Sequence, residues 1–204
     1  MPSLLNDPDL LCQHYLNIVY QNSQGHQSQD RPNLKNIAES YGEILYPSVD
    51  TLLKNISIQS HDIFLDAGAG LGKLALQVFL KSAVKAVYGI ELKPVLYEQA
   101  QHAAQRVAQE LPECYQGERQ LVFLQGDFLT LPWPNASILL IGSPCFGPAM
   151  LGALARRIDA TLSIHTVLSL RPLCLLQRLS FTKTIRIEGS WDSALCYVYQ
   201  PSKA

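Results

Sequence analysis

Three acidic residues, each at the end of a short apolar run, are the side chains best placed to do chemistry in this sequence. Asp66 follows Ile63-Phe64-Leu65 and opens the run Asp66-Ala67-Gly68-Ala69-Gly70-Leu71-Gly72; Glu91 follows Val87-Tyr88-Gly89-Ile90; Asp127 stands in Gly126-Asp127-Phe128. Gly68, Gly70 and Gly72 let a backbone pass close to a ligand at the carboxyl end of a strand, where open α/β sheets bind small molecules. Three nucleotide ligands compete for such a place. A phosphate-cradling loop needs Gly and Ser/Thr where Ala67 and Leu74 stand. A dinucleotide fits the looser pattern Gly70-Leu71-Gly72-Lys73-Leu74-Ala75, with Glu91 about 20 residues on, but Asp66 would then face a pyrophosphate, and like charges repel. S-adenosylmethionine has no phosphate and carries a cationic sulfonium and ammonium, so an acid at this point helps it. Glu91 can accept two ribose hydroxyls in charge-assisted bonds, Asp127 can accept from the adenine amino group, and Phe128 can offer the ring an apolar surface.

Elements must carry these residues to one edge. The pattern predicts helix 47–56, strand 61–67, helix 72–82, strand 86–91, helix 94–110, strands 121–126 and 137–142, helix 148–158 and strand 161–170. That alternation implies a mostly parallel sheet with helices on both faces. The ending departs from it: strands 181–188 and 194–200 are joined by Gly189-Ser190-Trp191-Asp192-Ser193, too short for a crossover helix, so they must pair antiparallel. The expected fold is therefore α/β, a Rossmann-like sheet of seven strands ending in an antiparallel hairpin. Ahead of it, residues 7–20 read as a docking helix, with Asp7 as cap, Pro8 at the first position, and Leu10, Leu11, His14, Ile18 and Val19 on one face. Residues 21–33 read as a polar loop. The division is a helical segment and loop over 1–40 and one ligand-binding domain over 41–204.

A chain of 204 residues, 48% hydrophobic, suits one substantial core. The 16 basic and 17 acidic side chains nearly cancel, so no global field draws the protein onto nucleic acid or an anionic membrane. Residues 151–204 hold 7 basic and 3 acidic side chains, read either as solvated faces or as a rim toward an acidic partner. The five cysteines are scattered without a CxxC pair and the histidines lack ligand spacing, so neither a disulfide framework nor a metal is expected. No apolar run is long enough to span a bilayer; the expectation is a soluble protein of a reducing compartment.

The match becomes closer than the general class across Tyr41-Gly42-Glu43, the run DIFLDAGAGLGKLALQVFL, Tyr88-Gly89-Ile90-Glu91, Gly126-Asp127-Phe128, Phe146-Gly147-Pro148 and Trp191…Tyr197. Together these resemble the disruptor-of-telomeric-silencing family, the non-SET lysine methyltransferases of the nucleosome core, over roughly residues 38–200. The resemblance implies S-adenosylmethionine as cofactor, with Tyr41 and Glu43 at its methionyl end, and Arg171-Pro172 matching the family's Lys-Pro pair. Two departures stand out: Ile44 replaces a family threonine, and Ser143 replaces the asparagine that borders both cofactor and methyl-transfer point. Ser143, Phe146, Tyr197 and Tyr41 are the residues expected to be catalytic, with Phe146, Tyr197 and Trp191 as an aromatic channel able to desolvate a lysine amine and tolerate a cationic product.

The implied partner is a protein with an accessible lysine, a histone or nucleosome among the candidates, with no sequence-specific nucleic-acid contact and no membrane. Only Lys203 lies beyond the last strand where the family has a basic extension, so docking by other means is expected. The expected location is cytoplasmic, or nuclear or inside a host cell if the acceptor is a histone. A methyltransferase for small molecules or other residues, a cofactor-binding module without catalysis, and a nicotinamide enzyme are the rival readings.

Overall fold

The computed structural model describes residues 7–20, 42–142 and 145–202. The elements run α1 (Pro8–Tyr20), α2 (Tyr46–Lys54), β1 (Ile63–Ala67), α3 (Lys73–Lys81), β2 (Ala86–Glu91), α4 (Pro94–Glu110), β3 (Gln120–Gln125), β4 (Ile138–Ile141), α5 (Pro148–Ala160), β5 (Thr166–Ser169), β6 (Ser180–Glu188) and β7 (Ser193–Gln200). One seven-stranded sheet has the order β3-β2-β1-β4-β5-β7-β6. The first five of these positions pair parallel, and β7 runs antiparallel to both β5 and β6. The chain order reverses between β1 and β4, and a reversal of that kind opens a crevice at the carboxyl ends of the strands.

Each central strand is buried on both faces, which is why IFLDA and ILLI show no polar alternation. Side chains of odd and even parity serve two cores. Phe64 and Val87 pack with Leu76 and Phe79 of α3 and with Ala103 and Val107 of α4. Leu65, Ile90 and Leu139 pack with Leu154 and Ile158 of α5. Between β3 and β4 the sequence Leu131-Pro132-Trp133-Pro134 offers no helix. That stretch covers the sheet as a loop instead: Trp133 Nε1 donates to the Phe128 carbonyl at 2.9 Å, and Arg157 stacks on the Trp133 ring while donating to the carbonyls of Leu129 and Leu131.

The predicted parallel sheet and terminal hairpin are both present. Strand β5 is shorter than the run expected over 161–170, because α5 continues to Ala160 and Thr161 starts a turn that buries Ile164 and exposes Leu162. The face of α1 also differs. Leu11, Tyr15 and Leu16 meet the core and Cys12 is fully buried, whereas Leu10 is 51% exposed and His14 points outward; Asp7 does cap the helix, accepting from Asp9 N–H at 2.9 Å. The expected helix face was drawn without Cys12, whose thiol is pushed up to about 12 by burial. The polar loop at 21–33 and the boundary at 40/41 lie outside the described residues. Much of the C-terminal positive charge is spent internally: Arg178 donates to carbonyls of Ile158 and Thr161, and Lys183 to Asn55. No helix among the described residues is long and apolar enough to cross a membrane.

Gly89 in β2 is what lets β3 and the loop after β1 approach each other. A Cβ there would lie 2.5 Å from the Phe123 ring and 2.8 Å from Ala69 Cβ. Gly89→Ala should therefore cost about 1–3 kcal/mol by overpacking, read as a lower urea midpoint with an unchanged slope.

Candidate functional site

The crevice holds a cavity of about 340 Å³ whose wall includes Asp66, Gly68, Gly70, Glu91, Asp127 and Phe128, together with Glu43, Phe146 and Trp191. Every one of these was singled out from the sequence. Asp66, Glu91 and Asp127 converge because β1, β2 and β3 end level with one another, in parallel register.

The loop after β1 is held from below. Gly68 N–H and Ala69 N–H both donate to Ile90 O, at 2.9 and 3.0 Å, and Gly72 N–H to Ala69 O at 2.8 Å. Gly70 N–H donates to Glu91 Oε2 at 2.7 Å, while Lys93 N–H donates to Oε1 at 2.8 Å. These donors are therefore already engaged by the protein, and the loop does not offer them to a phosphate in the way an anion-binding loop must. Glu91 is only 7% exposed and Asp66 3%. Burial, and then the neighbouring Glu91 charge, push the Asp66 carboxyl up to about 7. Asp127 Oδ1 accepts Leu129 N–H at 2.7 Å, which fixes the carboxylate in a turn at the end of β3.

Four carboxylates, Glu43, Asp66, Glu91 and Asp127, line the cavity against two ammonium groups, Lys73 and Lys93. An acidic excess in a largely buried cleft favours a cation and opposes a pyrophosphate. Much of the remaining lining is apolar: Phe128 and Phe146 lie with ring centroids 5.5 Å apart, and Met150, Leu140 and Cys145 also line the cavity. The site can thus hold a molecule that presents hydroxyls and positive charge to the carboxylates and an apolar surface to the aromatic rings. That combination suits the adenosine, sulfonium and ammonium of S-adenosylmethionine.

One part of the lining is a contact between distant parts of the chain. Residues 43–45 add to the hairpin turn: Ile44 bridges Gly189, Leu45 N–H donates to Glu188 O at 2.9 Å, and Ser190 N–H donates to Glu43 O at 2.8 Å. Ser190 Oγ in turn accepts Glu43 N–H at 3.0 Å. The Trp191 ring lies against two bare Cα atoms, since a Cβ on Gly42 or Gly189 would come within 2.6 Å of it.

Two predicted positions are elsewhere. Gly72 lies outside the cavity wall; with φ 78° it turns the chain into α3, and a Cβ would strike Phe123 at 2.5 Å, so its reason is packing. Tyr197 is not in the wall either: it sits in β7 opposite Ser169 with its ring 6.3 Å from Phe181. Tyr41 and Ser143 lie outside the described residues. Sequence reasoning missed Lys73, Lys93, Leu92, Leu96, Cys145 and Met150, all in the wall. Lys73 carried a readable signal, a cation at the first position of a helix; the apolar residues carried none, since their types are those of any core. Among the described residues, no cluster of His, Cys, Asp or Glu could hold a metal ion.

Among solved structures, the magnesium protoporphyrin IX methyltransferase of Synechocystis PCC 6803, crystallised with bound S-adenosylmethionine, superposes with a TM-score of 0.58 at 18% identity, over 92% of this chain and 97% of that one. An uncharacterised Listeria monocytogenes protein gives 0.60 at 13% identity, over 78% and 69%. These likenesses establish the fold. Two curated relatives, each named histone-lysine N-methyltransferase, H3 lysine-79 specific, match in sequence. The Drosophila melanogaster protein is 38% identical over 53 residues, 26% of this chain, and the Caenorhabditis elegans protein 26% identical over 119 residues, 56% of this chain. The matched segments span 3% and 13% of those relatives' lengths. The family model described as histone methylation protein DOT1 matches residues 27–188, most of the chain and all but one of the wall elements just described, and on that match the chain belongs to the DOT1 histone methylation family.

Proposed function

We propose that this chain is an S-adenosylmethionine-dependent methyltransferase that methylates a lysine amine on a protein, with a histone as the first acceptor to test. The observation that carries the reading is the acidic cavity at the switch point between β1 and β4, whose glycine-loop donors are already engaged by Glu91 and Ile90. Its relatives in the family act on histone lysine by name, and a histone acceptor would place the protein on chromatin.

The roles follow from the wall. Glu91 accepts ribose hydroxyls while its remaining lone pairs hold the loop, Asp127 accepts the adenine amino group, and Phe128 backs the ring. Asp66 and Glu43 face the cationic end, with Tyr41 assigned there by family resemblance. The cofactor supplies a methyl group on a sulfonium, already electrophilic. What the protein must add is an amine free of its proton, aligned with that methyl. The apolar wall of Phe146, Met150 and Trp191 does this by making an ammonium costly, which lowers the amine's pKa; the cationic product is tolerated by the aromatic faces. Ser143 is assigned to the transfer point by the same resemblance alone. Tyr197, away from the wall, is assigned a packing role.

The direct test is transfer of labelled methyl into reconstituted nucleosomes, free histones and whole lysate. Label on lysine supports the reading. Cofactor binding without any labelled protein would leave a small-molecule acceptor or a non-catalytic module. Glu91→Ala, which removes two charge-assisted bonds to the ribose, should weaken S-adenosylmethionine binding about tenfold to a hundredfold by calorimetry.

Affinity should also depend on pH. With its pKa near 7 in the free protein, Asp66 carries a proton at pH 6, and a cationic ligand favours the ionised form, so binding releases that proton. Affinity should rise as pH goes from 6 to 8, by at most roughly tenfold per unit below pH 7, and level off above. Asp66→Asn should flatten the profile.

A further inference from the structure

Lys73 stands where its own helix puts it at a disadvantage. As the first residue of α3 it faces the positive end of the backbone dipole, and no acidic residue occupies the helix's first turn. The compensation comes from 30 residues away. Lys73 Nζ lies 2.8 Å from Glu43 Oε1 and 3.1 Å from Oε2, with both side chains largely withdrawn from water at 27% and 13% exposure. A lysine ammonium alone in the wall of a cation site would oppose the ligand; joined to Glu43 its charge is offset. The pair is also a shared partition. On one side is the cavity described above, and on the other a groove lined by Gln13 and Asn17 of α1, Tyr46 and Gln77. Glu43 in turn is held to the hairpin turn by its own N–H and carbonyl, both bonded to Ser190.

We propose that Lys73 is a positioning residue: it latches Glu43, and through it the 42–45 lip and the hairpin turn, to the start of α3, so that cofactor affinity depends on Lys73 by way of Glu43. The affinity part of this rests on the S-adenosylmethionine reading; the latch does not. It joins three segments remote in sequence, namely the stretch before α2, the glycine loop's exit and the β6–β7 turn, at one ion pair.

The test uses the full chain and the variants Lys73→Met, Lys73→Gln, Lys73→Arg, Glu43→Gln and Glu43→Gln with Lys73→Met. Hydrogen exchange reads the latch without any ligand. Lys73→Met and Lys73→Gln should speed exchange of the amides of Glu43, Leu45, Gly189 and Ser190 about tenfold while the central strands stay protected, and Lys73→Arg should restore them. Unchanged exchange in the lip, or equal loss across the whole sheet, overturns the latch. Calorimetry with S-adenosylmethionine reads the route: Lys73→Met, Lys73→Gln and Glu43→Gln should each weaken binding by about tenfold, Lys73→Arg should bind near wild type, and the double variant should lose no more than the worse single. Additive losses would mean that Lys73 acts on the ligand directly and would overturn the proposal. Absence of binding in the wild-type chain would instead defeat the functional reading, with the exchange data still deciding the latch.

Discussion

The Glu91 carboxylate accepts from Gly70 N–H with one oxygen and from Lys93 N–H with the other, so a single anion at the end of β2 fixes the loop after β1 and the entry to α4 together. Charge-assisted bonds of this kind hold geometry more firmly than neutral ones. Because the loop's donors close onto the protein, the crevice becomes a place for hydroxyls and positive charge. The same scaffold with those donors facing outward would be an anion site. Fold and ligand class thus separate at a side chain, which is why the many methyltransferases and dinucleotide enzymes built on similar sheets cannot be told apart by topology alone.

That arrangement has a cost to the free protein. Asp66 and Glu91 are both buried at neighbouring strand ends, and the second charge raises the first group's pKa beyond what burial alone does. A proton held on Asp66 in the folded chain and absent in the unfolded one contributes stability that is complete at low pH and fades as pH rises through about 7. A bound cation would remove the conflict. Sites that store unfavourable charge in this way are tuned for what they bind, at the expense of the empty state.

The sheet, its reversal into an antiparallel hairpin and the three strand-end acids were legible because each depends on a local signal. The connection between β6 and β7 is too short for a crossover helix, and an acid that closes a short apolar run marks the carboxyl end of a strand. What was not legible depends on three-dimensional partners. Gly72 looked like part of a ligand loop because its type is the same whether the approaching atoms belong to a ligand or to Phe123. Tyr197 was placed in the channel by resemblance, yet its position in β7 turns its ring toward Phe181. The buried face of α1 was misdrawn: Cys12, left off it, is fully buried, and Leu10, placed on it, is half exposed. The Glu43–Lys73 pair lies 30 residues apart with no periodicity connecting them.

The claim that decides the rest is that this crevice takes a cationic, phosphate-free nucleoside. Calorimetric titration of the wild-type chain with S-adenosylmethionine and, separately, with NAD tests it directly. The account predicts saturable one-to-one binding of S-adenosylmethionine and none of NAD at the same concentrations. Binding of NAD with no response to S-adenosylmethionine would contradict it, and with it the part assigned to Asp66.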